Sequence, residues 1–289
     1  MTKLLTIDAN PKTVKGNAQG YMTAVLHLAP ANASGYQVCA MAELAACIAG
    51  CLNTAGRGGI AKGAAVFETP AGLLPDNVIQ AARIRRTRYF FEDRQGFMAQ
   101  LVREIAAFIV RAKRKGLVPT VRLNGTSDIA WERVAFTYGE TEYASIFHAF
   151  PGVQFYDYTK HPKRPLQAMP ANYHLSLSYS GASQRFAKLT LCAHSQGAPL
   201  VMVVRDNATK AQALERFPHA IDGDETDLRF LDAPGALVVL KAKGKARQDR
   251  SGFVVDDLDA LAPALVAASQ GKRLRTAVEA DRLIPVLAA

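Results

Sequence analysis

YMTAVLHLA, residues 21–29, is the stretch from which the fold of this sequence can be worked out. Its aromatic and β-branched residues favour an extended strand, and Pro30 ends the run. The loop that follows contains CAMAELAACIAGCLNTAGRGG, residues 39–59, and ends in a glycine-rich turn. It holds three of the four cysteines of the chain: Cys39, Cys47 and Cys51. The sequence thus joins a first strand to a cluster of thiols, and the downstream pattern indicates what surrounds them.

Short apolar runs of strand length recur along the rest of the chain. They lie at residues 118–123, 153–158, 173–178, 200–204 and 236–240, and a further short strand is expected at 4–7. Several of the spacers between the runs have a helical pattern. Strands that alternate with helices are typical of βαβ units and a parallel sheet. The pattern predicts an α/β fold with mostly parallel strands in a complete or partial TIM-like (β/α) barrel, with a doubly wound sheet as the alternative.

Helices are predicted between the strand at 21–29 and the run at 118–123, and again at the end of the chain. Residues 76–92 are expected to form a helix with Asp76 as its N-cap, and the apolar stripe of residues 95–115 predicts a second, stronger helix. The tail, residues 256–289, has helical spacing and is expected to pack on the same domain. The 289 residues therefore suggest one barrel-like domain over residues 1–255, followed by this helical tail.

Composition narrows the class of protein and of partner. No run of about 18 apolar residues is present, which excludes a membrane-spanning helix, and the unprocessed look of the N-terminus predicts a cytoplasmic protein. The net charge of +10 favours an anionic partner such as a nucleic acid or a phosphorylated small molecule. One helix contributes a basic run beside aromatic residues, which predicts a nucleic-acid-binding face, with a solvated helix face as the alternative. Its members are Arg83, Arg85, Arg86 and Arg88.

Polar side chains follow the predicted strands at the end where α/β folds place their chemistry. Four of them are predicted catalytic residues: Asn124, Asp128, Tyr158 and Lys160. Others are predicted to bind a cofactor, either from strand ends or from a glycine turn whose N–H groups can face an anion. These are Gly56, Gly58, Gly59, Ser127, Ser178 and Arg205.

The cysteine spacing, Cys39-x7-Cys47-x3-Cys51, lacks the paired CxxC of a zinc ribbon. Three thiolates with an open fourth position suit a cubane iron–sulfur cluster. A zinc site completed by His27 is an alternative, and small core residues are another. Cys192 lies far away in the chain and is interpreted as a core thiol.

A second metal candidate is an acidic cluster whose oxygens suit a hard cation such as Mg²⁺. Its members are Asp222, Asp224, Glu225 and Asp227. A turn followed by acidic residues at the start of a helix explains the same pattern and is preferred.

Three segments in this order, the cysteine loop, VRLNGTSD (121–128) and VQFYDYTK (153–160), resemble a family of phage- and plasmid-borne proteins. These proteins are assigned to the radical S-adenosylmethionine (SAM) superfamily or to its fringe. The resemblance spans roughly residues 20–180, and GDETDLRFLD (223–232) and LKAKGKA (240–246) are similar to segments of the closest relatives. The cysteine spacing differs from the usual CxxxCxxC of that superfamily.

The resemblance implies a partial TIM-like barrel with a [4Fe-4S] cluster on Cys39, Cys47 and Cys51, and SAM as cofactor. Asn124, Ser127 and Asp128 would then lie beside SAM or the substrate. An electron donor and an anionic substrate, DNA, RNA or a nucleotide, are the partners expected.

Two other functions stay open from the residues alone. The first is a basic nucleic-acid-binding or nuclease-like protein in which the cysteines are structural or hold zinc. The second is a metal-free enzyme of small molecules that uses Lys160 or Lys241 as base or Schiff-base amine.

Overall fold

The computed structural model describes residues 3–8, 10–59, 77–217 and 219–269, which form a mixed α/β fold. The strands are β1 (Leu5–Ile7), β2 (Tyr21–Leu26), β3 (Val118–Arg122), β4 (Phe136–Tyr138), β5 (Thr141–Tyr143), β6 (Gln154–Thr159), β7 (Tyr173–Ser178), β8 (Leu200–Val204), β9 (Ala220–Asp222) and β10 (Leu237–Lys241). The helices are α1 (Pro11–Asn17), α2 (Val78–Glu92), α3 (Arg94–Arg114), α4 (Ile146–Ala149), α5 (Gln184–Ser195), α6 (Asn207–Arg216) and α7 (Ala262–Ser269).

Eight strands form one sheet in the order β1-β2-β3-β6-β7-β8-β10-β9, and β4 and β5 form a separate antiparallel hairpin. β1 runs antiparallel to β2, and every other neighbouring pair in the large sheet is parallel. From β2 to β10 the strands follow chain order, with β9 added at the edge beyond β10. The largely parallel α/β sheet is therefore confirmed, and its departure from chain order is the exchange of β9 and β10 at one edge.

The large sheet is open within the described part of the chain, because β1 and β9 each have one neighbouring strand. The closed form of the predicted barrel is not formed by these residues. Four predicted strands, 118–123, 153–158, 173–178 and 200–204, agree with β3, β6, β7 and β8 to within one residue at each end. Asp76, the predicted N-cap, lies outside the described residues, and Asn77 caps α2 by accepting from Ile79 and Gln80 N–H groups. The tail beyond residue 269 also lies outside them.

Helices cover one face of the sheet and form the core there. Apolar residues of β2, β3 and β6, such as Met22 and Val121, pack against α3 residues that include Leu101 and Ile105. On the other half of the sheet, residues such as Met202 pack against α5 and α7. A parallel sheet whose strands follow chain order places its right-handed crossovers on one face, which explains the single helical layer. Among the described residues no helix is both long and apolar enough to cross a membrane.

The opposite face, called here the inner face, is polar although it is buried. Thr23 and Thr120 share a hydrogen bond of 2.9 Å across β2 and β3, and both are 0 % exposed. Part of the same chain, residues 222–232, covers this face and is called here the acidic segment. Its Phe230 ring lies edge-on to Tyr21, and Asp227 reaches the guanidinium of Arg122. Because the inner face is filled by polar contacts with a loop, the functional surface lies at the strand ends.

Candidate functional site

The cysteine loop lies across the carboxyl ends of β2, β3 and β7, and hydrogen bonds fix it there. Asp128 N–H donates to the Val38 carbonyl at 2.8 Å, which ties the loop to the end of β3. The Ser180 hydroxyl donates to the Ala45 carbonyl at 2.7 Å, which ties it to the end of β7. A methyl group at Gly125 would lie 2.7 Å from Val25 Cγ1, so glycine allows the β3 loop to approach β2.

The three thiols of this loop form no disulfide and are half-buried. The pKa of Cys39 is raised to about 12, mainly by burial and also by the neighbouring Cys51, Asp128 and Cys47, while an N–H bond from Ala31 opposes the shift. Burial likewise raises the pKa of Cys51 to about 11, with Cys47 adding to the effect. The loop therefore brings the predicted ligands into one neighbourhood, where they are protonated thiols at neutral pH.

Backbone N–H groups point at two of the sulfurs. Ala31 N–H donates to Cys39 Sγ at 3.4 Å, and Asn53 N–H donates to Cys51 Sγ at 3.4 Å. N–H donors to sulfur stabilise thiolates and tune iron–sulfur centres. Among the described residues, however, no three His, Cys, Asp or Glu side chains are arranged as a metal-binding group.

Lys160 and Asp128, two predicted catalytic residues, adjoin the thiols. Lys160 Nζ donates to the Tyr179 carbonyl at 2.7 Å and lies 4.6 Å from the centre of the Phe253 ring. Burial lowers the pKa of Lys160 to about 8, although Cys47 and Asp128 act in the opposite direction. Lys160 in turn favours the thiolate form of Cys47. A buried amine with a lowered pKa can hold or release a proton beside these sulfurs near neutral pH.

Asp128 is held in place by three donors. It accepts from Lys160 N–H at 2.7 Å, from the Thr159 hydroxyl at 3.1 Å and from Arg164 Nη1 at 2.7 Å. Arg164 is 3 % exposed and also binds both carboxylate oxygens of Glu132, at 2.9 and 2.8 Å. Arg164 and Glu132 therefore position Asp128 against the thiols, a role that the sequence analysis did not assign to Arg164.

Asn124 organises the loop after β3. Its Oδ1 accepts from the Ser127 hydroxyl and from Ile129 N–H, each at 2.9 Å, and from Trp131 Nε1 at 3.2 Å. Its Nδ2 donates to the Ile129 carbonyl at 2.9 Å. Both polar atoms of Asn124, and the Ser127 hydroxyl, are thus engaged within the loop. In this structure the two predicted site residues shape the loop rather than face an open site.

Tyr158 belongs to a different network, on the inner face. Its hydroxyl donates to Asp227 at 3.1 Å, and Asp227 also binds Arg122 Nη1. The neighbouring Asp157 is 0 % exposed and accepts from Asn124 N–H at 2.9 Å. Burial raises the pKa of Asp157 to about 7, while Arg122 lowers it. The structure therefore separates Tyr158 from Asp128 and Lys160, which the sequence analysis placed in one site.

The acidic cluster is compensated by cations of the same chain. Asp222 pairs with Lys210 at 2.7 Å, and Asp224 pairs with Lys243 at 2.9 Å and with Lys12 at 3.2 Å. These carboxylates are neutralised by side chains, which agrees with a structural role for the turn. The helix start that was expected to follow it is wrong, because the next element is a short 3₁₀ turn, Arg229–Leu231, with no acidic residue in its first turn.

The predicted nucleic-acid face on α2 is largely engaged with the chain itself. Arg83 is 8 % exposed, donates to Asn53 and lies against Gly58, where a methyl group would be 2.9 Å from its Nη1. Arg86 Nε donates to the Lys3 carbonyl and Arg88 Nε to the Ser34 carbonyl. Arg85 is exposed. Two of the four arginines, Arg83 and Arg88, thus fix the loops around the cysteines.

The remaining predicted residues lie around the same edge of the sheet. Gly56, Gly58 and Gly59 form a short 3₁₀ turn, and the Gly58 carbonyl accepts from Gln80 at 2.8 Å. Ser178 ends β7. Arg205 binds Asp256 and the carbonyls of Arg247 and Asp249, so it fixes the loop after β10.

Several buried charges were missed by sequence analysis, above all Arg122 and Arg164. Arg122 is the one charged residue of β3 and ends that strand, and a buried charge requires a partner elsewhere in the chain. That pattern could have located Arg122, but it does not identify Asp227, 105 residues away, as the partner.

A family model described as Gene product 88 matches residues 3–257. The chain belongs to the Gene product 88 family. No curated protein and no solved structure shows a significant match to the chain. The family supports the phage type of protein that the sequence resemblance implies, and it provides no link to the radical SAM superfamily, which stays a prediction.

Proposed function

We propose that the protein is an iron–sulfur enzyme of radical SAM-like type, in which Cys39, Cys47 and Cys51 hold a [4Fe-4S] cluster. The observation that carries the proposal is geometric: the loop with the three thiols is tied to the carboxyl edge of the sheet, and N–H groups of Ala31 and Asn53 donate to the sulfurs of Cys39 and Cys51. Cysteines 4 to 12 residues apart, brought together by a loop after the first parallel strand, form a donor set that iron–sulfur clusters use.

The strand order supports a partial barrel as the scaffold for this site. Six parallel strands, β2, β3, β6, β7, β8 and β10, follow one another in the sheet as in the chain. The wall of a (β/α) barrel has this strand order. A partial barrel, which is not closed, leaves room for a large substrate at its strand ends. The cysteine loop then occupies the end at which barrel enzymes carry their chemistry.

The described residues contain no preformed metal-binding group, and the support for a cluster comes from the chemistry of the donor set. Two sulfurs already accept N–H bonds, and cations lie near two of the thiols, Lys160 near Cys47 and Arg83 near Cys51. Positive charge beside the sulfurs offsets the negative charge that three thiolates bring. The raised pKa values of the thiols mean that metal binding must displace protons, so loading is expected to improve with rising pH.

When bound, such a cluster supplies an electron and an iron with an open coordination position, at which SAM is the expected ligand. The protein residues contribute the surroundings. Lys160, with its lowered pKa, holds or releases a proton beside the thiols, and Asp128, oriented by Arg164, contributes a carboxylate acceptor. The Lys160 ammonium is held by the Phe253 ring and the Tyr179 carbonyl.

The zinc alternative with His27 as fourth ligand has less support. Burial lowers the pKa of His27 to about 3, and Arg83, Arg122 and Arg86 lower it further. A histidine surrounded by three arginines is an unfavourable place for a divalent cation.

Metal and sulfide analysis of anaerobically reconstituted full-length protein tests the proposal. We expect about four iron and four sulfide per chain and an absorption band at about 400 nm. Cys39→Ala, Cys47→Ala and Cys51→Ala should each lose the iron, whereas Cys192→Ala, the matched control, should keep it. Zinc in place of iron, or iron that persists in the triple variant, would contradict the proposal.

A further inference from the structure

We propose that four exposed cations beside the cysteine loop bind the phosphodiester backbone of a nucleic acid. They are called here the basic rim: Arg185, Lys245, Arg247 and Arg250. The inference rests on the proposed function in one respect, since it names the substrate class of the cysteine site. It differs from the sequence prediction, which placed nucleic-acid binding on α2.

The loop after β10 is packed directly on the cysteine loop. A methyl group at Gly50 would lie 2.8 Å from the Phe253 ring and 3.4 Å from Ala246 Cβ. A methyl group at Gly244 would lie 3.0 Å from the Thr54 carbonyl oxygen. Two glycines thus permit the two loops to touch. The exposed Lys245 and Arg247 follow within this turn, so their charges lie next to the proposed reaction site.

The start of α5 adds a further cation to the same edge. Gly181 N–H donates to the Gly252 carbonyl at 2.8 Å, which joins the end of β7 to the loop that carries Arg250. Arg185 is exposed in the first turn of α5. The amino end of a helix carries a partial positive charge, which adds to the attraction for phosphate.

Three of the four cations of the basic rim have no acidic partner among the described residues, and the fourth has a long one. Within the described part of the chain, Arg185, Lys245 and Arg247 form no ion pair, and Arg250 lies 3.9 Å from Asp256. The nearby acids are already engaged: Asp256 binds Arg205, and Asp249 accepts from the Ser251 hydroxyl and Val254 N–H. Exposed cations on one edge without compensating acids are the electrostatic footprint of a polyanion site.

A second basic cluster provides the contrast. Arg111, Lys113 and Arg114 are exposed in the last turn of α3. Their chain continues into the start of β3, so they lie at the amino edge of the sheet, away from the cysteines. They also complement the dipole at the carboxyl end of α3, which explains their presence structurally. This cluster has the same charge as three residues of the basic rim and serves as the matched control.

Fluorescence anisotropy on the full-length protein tests the inference, with 20-nucleotide RNA, DNA of the same sequence, and the duplex as separate probes. The rim variant is Lys245→Gln/Arg247→Gln/Arg250→Gln, and the control variant is Arg111→Gln/Lys113→Gln/Arg114→Gln. Both change the net charge equally. We expect the rim variant to bind about tenfold or more weakly and to lower the slope of log affinity against log salt by about 2 on single strands. The control variant should stay within about twofold of the unaltered protein.

Equal losses in both variants, or no binding by the unaltered protein, would overturn the inference. Iron analysis of the same preparations separates it from the proposed function. Iron retained with binding that does not depend on the basic rim would overturn the inference alone. Absent iron with binding at the basic rim would overturn the proposed function and leave the rim as a nucleic-acid surface. The preferred probe among the three identifies RNA, single-stranded DNA or duplex as the source of the phosphate.

Discussion

Two regions of the molecule contain clustered metal-ligating residues, and they differ in how their charges are compensated. In the acidic segment, the carboxylates of Asp222, Asp224 and Asp227 each meet a lysine or arginine of the same chain. In the cysteine loop, the thiols have raised pKa values and remain neutral because they are buried. A cluster whose charges are already paired is part of the architecture. A cluster that stays uncharged consists of thiols whose protons a bound metal would have to displace.

The difference also separates two kinds of contact with the sheet. The acidic segment closes the inner face through buried ion pairs and rings, whereas the cysteine loop is attached at the strand ends through a few hydrogen bonds to backbone carbonyls. The acidic segment should therefore govern stability, and the cysteine loop should govern chemistry.

Asp227→Ala gives the largest expected effect. It leaves Arg122 buried without its partner and removes the acceptor of the Tyr158 hydroxyl. Removing one partner of a buried ion pair costs about 3–5 kcal/mol of the free energy of unfolding. Cys47→Ala, the counterpart from the cysteine loop, should cost about 1 kcal/mol. Urea denaturation measures both, and equal costs would remove the distinction between the two regions.

The second-largest expected effect is slow alkylation of the thiols in the cysteine loop. Because only the thiolate reacts, the raised pKa values of Cys39 and Cys51 should slow alkylation by iodoacetamide at pH 8 about 100-fold or more relative to an ordinary thiol. Mass spectrometry of modified peptides follows each residue, with urea-unfolded protein as the reference. Equal alkylation rates in the folded and the urea-unfolded protein would show that the thiols are ionised or accessible to solvent. That result would contradict the view that they are neutral because they are buried.

The two regions should also lose their contributions to stability at opposite ends of the pH scale. The pKa of Asp224 is lowered by its N–H bond from Lys241 and by Lys243 and Lys12, against the effect of burial. Its contribution to stability is therefore present above about pH 4 and is lost as pH falls. The pKa of Cys51 rises from 9.0 to about 11, so its contribution is present below pH 9 and is lost as pH rises through about 11.

Asp224→Asn should flatten the acid limb of the stability curve, and Cys51→Ser the alkaline limb. Each change should remove about 1–2 kcal/mol of pH-dependent free energy of unfolding. Denaturation midpoints between about pH 3 and pH 11 provide the measurement. An Asp224→Asn protein with an altered alkaline limb, or a Cys51→Ser protein with an altered acid limb, would contradict this assignment of ionisable groups.

Much of the fold was predictable because it depends on long apolar runs. β7 and β8 have the bounds that their apolar residues indicate, and the periodicity of α3 locates that helix within a residue or two. The three-residue strands β5 and β9 carry too few residues for a pattern. The connection from β6 to β7 contains no α-helix, so the predicted alternation of strands and helices is wrong for this connection.

The candidate site was predictable where it depends on strand ends. Asp128 and Lys160 follow β3 and β6, and parallel strands bring such residues to one edge, beside the cysteine loop. Asn124 follows the same rule, yet its amide is used by the loop, since a short polar side chain after a strand can equally bind its own backbone. Tyr158 lies within β6, one residue before its end, and its hydroxyl binds Asp227. No local sequence pattern identifies that partner.

The smallest expected effect comes from the outer pair of the acidic segment. Lys210 and Asp222 are 15 % and 26 % exposed at their side chains, so solvent screens their 2.7 Å contact more than that of Arg122 and Asp227. Lys210→Met should therefore lower the free energy of unfolding by about 0.5–1 kcal/mol. Arg216→Met removes a more exposed pair with Asp259, at 42 % and 82 %, and should change it by less than about 0.5 kcal/mol.

Urea denaturation of these two variants beside Asp227→Ala yields a series graded by burial. A Lys210→Met cost as large as that of Asp227→Ala would mean that the acidic segment holds together through the net charge of its cluster rather than through desolvated pairs. In that case its compensated carboxylates would resemble the thiols in being open to a cation, and added Mg²⁺ should raise the stability of Lys210→Met. We expect no such rise, because Asp224 keeps Lys12 and Lys243 when Lys210 is replaced.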